Sequence, residues 1–376
     1  MVQLALAGES LEGFATLEDI KPAPEVAFVN TPATTDNDEI EVIIKIADAG
    51  GGIGKVRLYL NGVAVLTDGG RGMKRRQTGE WRSYRLKLTN DENRLRAIVF
   101  NADNTMESNP ARHTVVADLG KETHDLYALI IGINEYKNPN ISLIYAVPDA
   151  LLFETSLKQA TAGLFDQVTV TSLTSPAETT RDRIVQALQS MQKLGPADTF
   201  VFYVASHGLV DDGAYYMITS NVGSLSTRKL QETALAQKEL QDLLINVPAG
   251  KKMILFDTCN SGAMGTSLQV ATLTRGLSET TAMKLLSRAV GSTVISASSS
   301  TQEALEGYKD HGLFTYVLSK GITGAADANR DGFVKTRELA DYVEDEVTEI
   351  AERVFRRAQY PTTTPTGDAF PIGRVN

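Results

Sequence analysis

From Leu126 onward the sequence alternates between two patterns, and this alternation restricts the fold more than any other feature. Leu126-Tyr127-Ala128-Leu129-Ile130-Ile131-Gly132-Ile133 is an unbroken apolar run, and comparable runs occupy residues 167–173, 199–206, 252–258 and 292–298. Each is short for a helix and reads as a strand buried on both faces. Stretches with helical spacing separate them. Thr179 and Asp182 form a capping-box pattern ahead of Ile184, Val185, Leu188 and Met191, which share one helix face. Residues 235–245 and 336–355 read as helices as well. Such alternation predicts an α/β fold, a mostly parallel sheet flanked by helices.

The segment before it has a period of two. Ile40, Val42, Ile44 and Ile46 alternate with Glu41, Ile43 and Lys45, and Val56, Leu58 and Leu60 with Arg57 and Tyr59. Asn61-Gly62 then marks a hairpin, because both residues tolerate positive φ. About seven short strands before Asp118 predict an all-β, immunoglobulin-like sandwich. Residues 1–22 are weakly patterned and read as a linker or the remnant of something upstream. The predicted organisation is therefore a linker at 1–22, a sandwich at 23–120 and an α/β domain at 124–376. The sandwich shows no catalytic pattern and reads as a spacer or a surface for a protein partner.

A net charge of −9 argues against nucleic-acid binding, which needs clustered Lys and Arg. The local exception, Arg71, Lys74, Arg75 and Arg76, reads as a solvated hairpin loop. No apolar run is long enough to span a bilayer, and the N-terminus lacks the basic start of a signal peptide. The single cysteine excludes an intrachain disulfide and suits a reducing, cytoplasmic setting.

That cysteine, Cys259, follows the apolar run Met253-Ile254-Leu255-Phe256, and His207 follows Val201-Phe202-Tyr203-Val204. Open α/β sheets bind ligands beyond the carboxyl ends of their strands. Parallel neighbours would thus bring the two residues onto one rim. A free thiol holds little thiolate at neutral pH, so a neighbouring imidazole is needed to take its proton and later protonate a leaving amine. The backbone N–H groups of Gly208 and Cys259 are candidate donors to the oxyanion. This chemistry requires no cofactor.

Several ordered blocks carry a family resemblance. They are 128–134 (Ala-Leu-Ile-Ile-Gly-Ile-Asn), 146–150 (Ala-Val-Pro-Asp-Ala), 203–208 (Tyr-Val-Ala-Ser-His-Gly), 256–262 (Phe-Asp-Thr-Cys-Asn-Ser-Gly) and 311–315 (His-Gly-Leu-Phe-Thr). With these blocks the chain resembles the caspase and metacaspase family of cysteine proteases. The resemblance implies a caspase-like domain with His207 as base and Cys259 as nucleophile. Caspases carry Gln two residues before the nucleophile and an Arg after the first strand, to bind aspartate. Here Asp257 stands in place of the Gln, and 141–145 contains no Arg. Metacaspases carry acids at the positions matching Asp149 and Asp257 and cut after Arg or Lys. Two carboxylates in one pocket attract a guanidinium or ammonium group, so protein substrates with a basic P1 residue are expected. By the same resemblance, Arg275-Gly276 is a candidate self-cleavage site, ahead of Lys284 and Arg288, and 296–303 borders the cleft.

Residues 327–338 fit the twelve-residue calcium loop. Asp327, Asn329 and Asp331 supply oxygens, Gly332 the turn, Phe333 a carbonyl and Glu338 the last carboxylate. Ca2+ is the one cofactor expected, with an Asx-rich turn as the alternative. Other readings of the chain remain open: a legumain-like or gingipain-like protease with the same dyad, an inactive caspase-like scaffold, and a calcium-sensing adaptor.

Overall fold

The structure is a computed structural model that describes residues 21–67, 74–76, 79–120, 122–211, 214–260, 290, 292–297, 305–365 and 368–375. The chain divides into two compact units, with the main break between Asp118 and Leu119.

Among the described residues, the segment up to Asp118 is all-β. Its strands are β1 (Glu25–Val29), β2 (Thr34–Thr35), β3 (Glu39–Ala47), β4 (Val56–Leu60), β5 (Val63–Thr67), β6 (Lys74–Arg76), β7 (Gly79–Lys87), β8 (Asp91–Val99) and β9 (Ala111–Ala117). They form a four-stranded sheet, β1-β3-β7-β6, and a five-stranded sheet, β2-β9-β8-β4-β5. The period-two pattern sets which side chains are inside: Ile40, Val42, Ile44 and Ile46 are buried while Glu39 and Glu41 are exposed. Lys74–Arg76 differ from the expected loop. Their backbone pairs with Gly79–Trp81, so these residues are one arm of the hairpin. Arg71 lies outside the described residues.

The second unit is α/β. Its elements are β10 (Leu126–Gly132), α1 (Ala146–Ala160), β11 (Val168–Leu173), α2 (Arg181–Ser190), β12 (Thr199–Asp211), β13 (Ala214–Met217), α3 (Thr227–Thr233), β14 (Leu235–Ala236), α4 (Gln237–Ile245), β15 (Lys251–Asn260), β16 (Thr293–Ser296), α5 (Leu313–Lys320), β17 (Phe333–Lys335), α6 (Thr336–Ile350), β18 (Thr362–Pro365) and β19 (Pro371–Arg374). The main sheet runs β11-β10-β12-β15-β16-β18, parallel except for β18. The continuous apolar runs divide between two cores. Leu126, Ala128, Ile130, Val201, Tyr203, Met253 and Leu255 pack with Phe153 and Leu157 of α1 and with residues of α5 and α6. Leu129, Ile131, Phe200, Phe202, Ile254 and Phe256 pack with Ile184 and Leu188 of α2 and with α4. Helices on both faces explain why these strands show no polar alternation.

Two details depart from the sequence reading. The capping box at Thr179 and Asp182 does not form: the Thr179 hydroxyl donates to the Ser175 carbonyl, and Thr180 is the N-cap without a side-chain bond. Asn221 meets the helix start instead, accepting from the Arg181 N–H. Strand β12 does not end at His207 but continues to Asp211 and turns back as β13.

Gly132 fixes the start of α1. A Cβ there would lie 2.5 Å from the Ala146 carbonyl oxygen and 2.8 Å from Ala150 Cβ. Gly132→Ala is expected to destabilise the fold by about 2 kcal/mol or more, because the nearest obstacle is backbone. Denaturant unfolding checks this; a change within about 0.5 kcal/mol would contradict it.

Candidate active site

The strand pairing brings the two predicted catalytic residues side by side. His207 of β12 and Cys259 of β15 are register partners on adjacent parallel strands. The side chains of Cys259 and Asn260 lie outside the described residues. His207 is 7% exposed. Its Nε2 lies 2.8 Å from the Ile141 carbonyl oxygen, which can only accept, so Nε2 carries the proton. Nδ1 is then a bare lone pair, buried and without a hydrogen-bond partner among the described residues. Burial lowers the imidazole pKa, opposed by the Ile141 carbonyl, and keeps the ring neutral at neutral pH. Tyr136 holds the ring in place. The two rings pack with centroids 5.4 Å apart, and the His207 N–H donates to the Tyr136 hydroxyl at 3.2 Å.

Gly208 follows within β12, opposite Met217 of β13 and Asn260 of β15. Ile218 N–H donates to the His207 carbonyl on the β13 side, so backbone alternation aims the Gly208 N–H at the β15 side. The space that a Cβ would need at Gly208 is taken by Tyr215, whose ring would lie 2.8 Å away.

Asp149 and Asp257 meet in one cleft. Asp257 alternates with Met253 and Leu255 onto the sheet face covered by α1, and Asp149 stands in the first turn of α1. Asn134 sets that turn: its Oδ1 accepts the Val147 N–H and its Nδ2 donates to the Ile144 carbonyl. The cleft is lined by Leu143, Ala146, Asp149, Ser206, Asp257 and Glu306, among others. Asp149 accepts the Gly312 N–H at 3.0 Å, and its Oδ1 is 3.1 Å from His311 Nδ1. Asp257 accepts from the hydroxyls of Thr315 and, at 3.5 Å, Tyr203. Burial pushes the Asp149 carboxyl up to about 7, partly offset by the Gly312 N–H. Burial and then the Asp149 charge push Asp257 up to about 8. The two share a site and titrate as a pair.

Glu306 is the residue the sequence reading missed. It is exposed at the mouth, and its carboxylate has no partner among the described residues. Its wall is a short hairpin: Leu313 N–H donates to the Leu305 carbonyl, and Tyr308 and His311 bond each other across a turn. Lys309 and Asp310 in that turn have φ of 52° and 66°. The available signal was an acid five residues before the His311-Gly312 block. The cleft therefore gathers two buried acids and a third at its rim.

The residues of the expected calcium loop lie elsewhere, on the link from α5 to α6. Gly332 takes φ 86°, and the N–H groups of Asp331 and Gly332 donate to the Asp327 carboxylate. Asp331 Oδ2 pairs with the Lys335 ammonium, and Glu338 accepts the Lys335 N–H. Val334 is buried, with β17 paired to β19. The donor types fit calcium, but among the described residues no three His, Cys, Asp or Glu side chains converge on one point. Arg275, Lys284, Arg288 and residues 298–303 lie outside the described residues, as do 1–20.

A family model described as Caspase domain matches residues 125–368, well over half of the chain. The chain belongs to the caspase-domain family. The matched span of this caspase domain contains His207, Cys259, Asp149, Asp257 and Glu306, and the family is one of cysteine peptidases. No curated protein matches the chain. A crystal structure of a Geobacter sulfurreducens protein aligns over 67% of this chain and 95% of its own, at 18% identity and a TM-score of 0.41. No helix among the described residues is long and apolar enough to cross a membrane.

Proposed function

We propose that this caspase domain is an active cysteine endopeptidase that cuts protein substrates after arginine or lysine. The observation that carries the basic specificity is the cleft holding Asp149, Asp257 and Glu306. In the proposed reaction His207 Nδ1 takes the Cys259 thiol proton. The thiolate attacks the P1 carbonyl carbon, and the N–H groups of Gly208 and Cys259 stabilise the oxyanion. Collapse breaks the peptide bond as the imidazolium protonates the departing amine. Water, deprotonated by His207, then hydrolyses the thioester and regenerates the thiol. The buried, neutral imidazole with its Nε2–H fixed on Ile141 supports this assignment.

Self-cleavage after Arg275, a calcium site at Asp327, Asn329, Asp331, Phe333 and Glu338 that modulates turnover, and a cytoplasmic location belong to the same proposal. In the proposed calcium-bound loop, Lys335 would release Asp331. For the N-terminal unit we infer an immunoglobulin-like module that meets a protein partner.

A fluorogenic peptide panel varied at P1, with and without calcium, tests the reading against a Cys259→Ala blank. Turnover of Arg and Lys peptides is expected, together with labelling of Cys259 by a peptidyl-Arg chloromethyl ketone. Faster cleavage after Asp than after Arg would overturn the specificity. No labelling would favour an inactive scaffold.

A further inference from the structure

We propose that Gln359 is a positioning residue for the substrate cleft, its buried amide clamping the end of β16 to the wall that carries Glu306. This deepens the peptidase reading above and rests on it for its kinetic consequences.

The path of the chain explains how Gln359 arrives there. After α6, Arg356 adopts a left-handed conformation at φ 52° and turns the chain back. The chain then enters β18, which runs antiparallel to β16 with Thr362 opposite Ser296. Residues just before Thr362 therefore pass beside those just after Ser296. Gln359 is 0% exposed. Its Nε2 donates to the Ala297 carbonyl at 2.9 Å, and its Oε1 accepts the Leu305 N–H at 2.9 Å.

The primary amide uses one of its two N–H donors and its carbonyl oxygen in one plane, as a peptide group uses its N–H and C=O. Gln359 thus bridges two buried backbone groups, the Ala297 carbonyl and the Leu305 N–H, as a ladder rung would. Leu305 is the base of the pocket hairpin through its carbonyl bond to the Leu313 N–H, and Glu306 is the next residue. Both lie on the cleft lining. An apolar side chain would fill the same space at lower desolvation cost, but it would leave a buried N–H and C=O unpaired. The amide therefore sets the position of the wall relative to the sheet.

The test is Gln359→Met, which keeps the side-chain length and removes both hydrogen bonds. KM for P1-Arg peptides is expected to rise about tenfold with a smaller change in kcat. Alkylation of Cys259 by iodoacetamide, which does not use the cleft wall, is expected to stay within about twofold of wild type. In a Glu306→Gln background the Gln359→Met effect is expected to shrink, since both act on one contact. An unchanged KM, a fully additive double variant, or an equal loss of alkylation would each overturn the proposal. Exchange of the Leu305 amide with solvent needs no turnover and is expected to accelerate about tenfold; unchanged exchange overturns the clamp whether or not the enzyme cuts peptides. An inactive wild type with accelerated exchange in the variant would sink the peptidase reading alone. If Gln359→Met does not fold, Gln359→Asn, which keeps both groups one methylene short, is expected to show the same KM rise.

Discussion

His207→Ala is expected to lower kcat/KM for P1-Arg peptides by on the order of 10³-fold or more, almost entirely in kcat. The proposed P1 cleft is lined by Asp149, Asp257 and Glu306 among others, and the imidazole is not part of its lining. Substrate binding should therefore survive while proton transfer is lost. Nε2 is committed to the Ile141 carbonyl, so only Nδ1 can shuttle the proton. Because burial lowers the His207 pKa, the acid limb of the kcat profile should lie below the ordinary imidazole range near 6.5. Steady-state kinetics across pH read both effects. A loss under about tenfold, or a loss confined to KM, would remove His207 from the base role.

Asp257→Asn is expected to reduce kcat/KM for P1 Arg by about two orders of magnitude and to narrow the gap between Arg and neutral P1 residues. The same cleft predicts two opposite pH slopes. A cationic P1 side chain needs the carboxylate forms, and burial has moved these carboxyls up to about 7 and about 8. Binding should then weaken as pH falls through that range, with KM rising toward lower pH. Stability of the empty enzyme runs the other way. The folded pKa values exceed the ordinary aspartate value of 3.8, so the folded state holds protons that the unfolded chain releases. This contribution is complete below about pH 4 and is lost as pH rises through 7 to 8. A small guanidinium ligand should accordingly raise Tm more at about pH 9 than at about pH 6. Equal shifts at the two pH values would show that the ligand does not meet these carboxylates.

The strands were legible because their apolar runs are continuous, and continuity follows from burial on both faces. His207 and Cys259 could be paired in advance because each follows such a run. Asp149 and Asp257 were legible only through their place in blocks resembling a family. Thr179 misled because a hydroxyl near a helix start has two backbone partners to choose from, and the Ser175 carbonyl wins. Lys74–Arg76 misled because charge alone does not distinguish a loop from an edge strand. Gln359 carried no pattern, since it gains its meaning from Ala297 and Leu305 far along the chain, and Glu306 carried only its place ahead of the His311-Gly312 block.

Local sequence determined where strands and helices form, because burial on one or two faces writes its own periodicity. It also determined the kinds of chemistry available, with a single thiol and few imidazoles. Only the tertiary structure decided which groups share a space: the Ile141 carbonyl under His207, three acids around one cleft, and the Gln359 amide across Ala297 and Leu305. Those contacts join residues tens to more than a hundred positions apart, and the order of strands in the sheet, with its parallel crossovers and its antiparallel edge strand β18, brings them within reach rather than any local propensity.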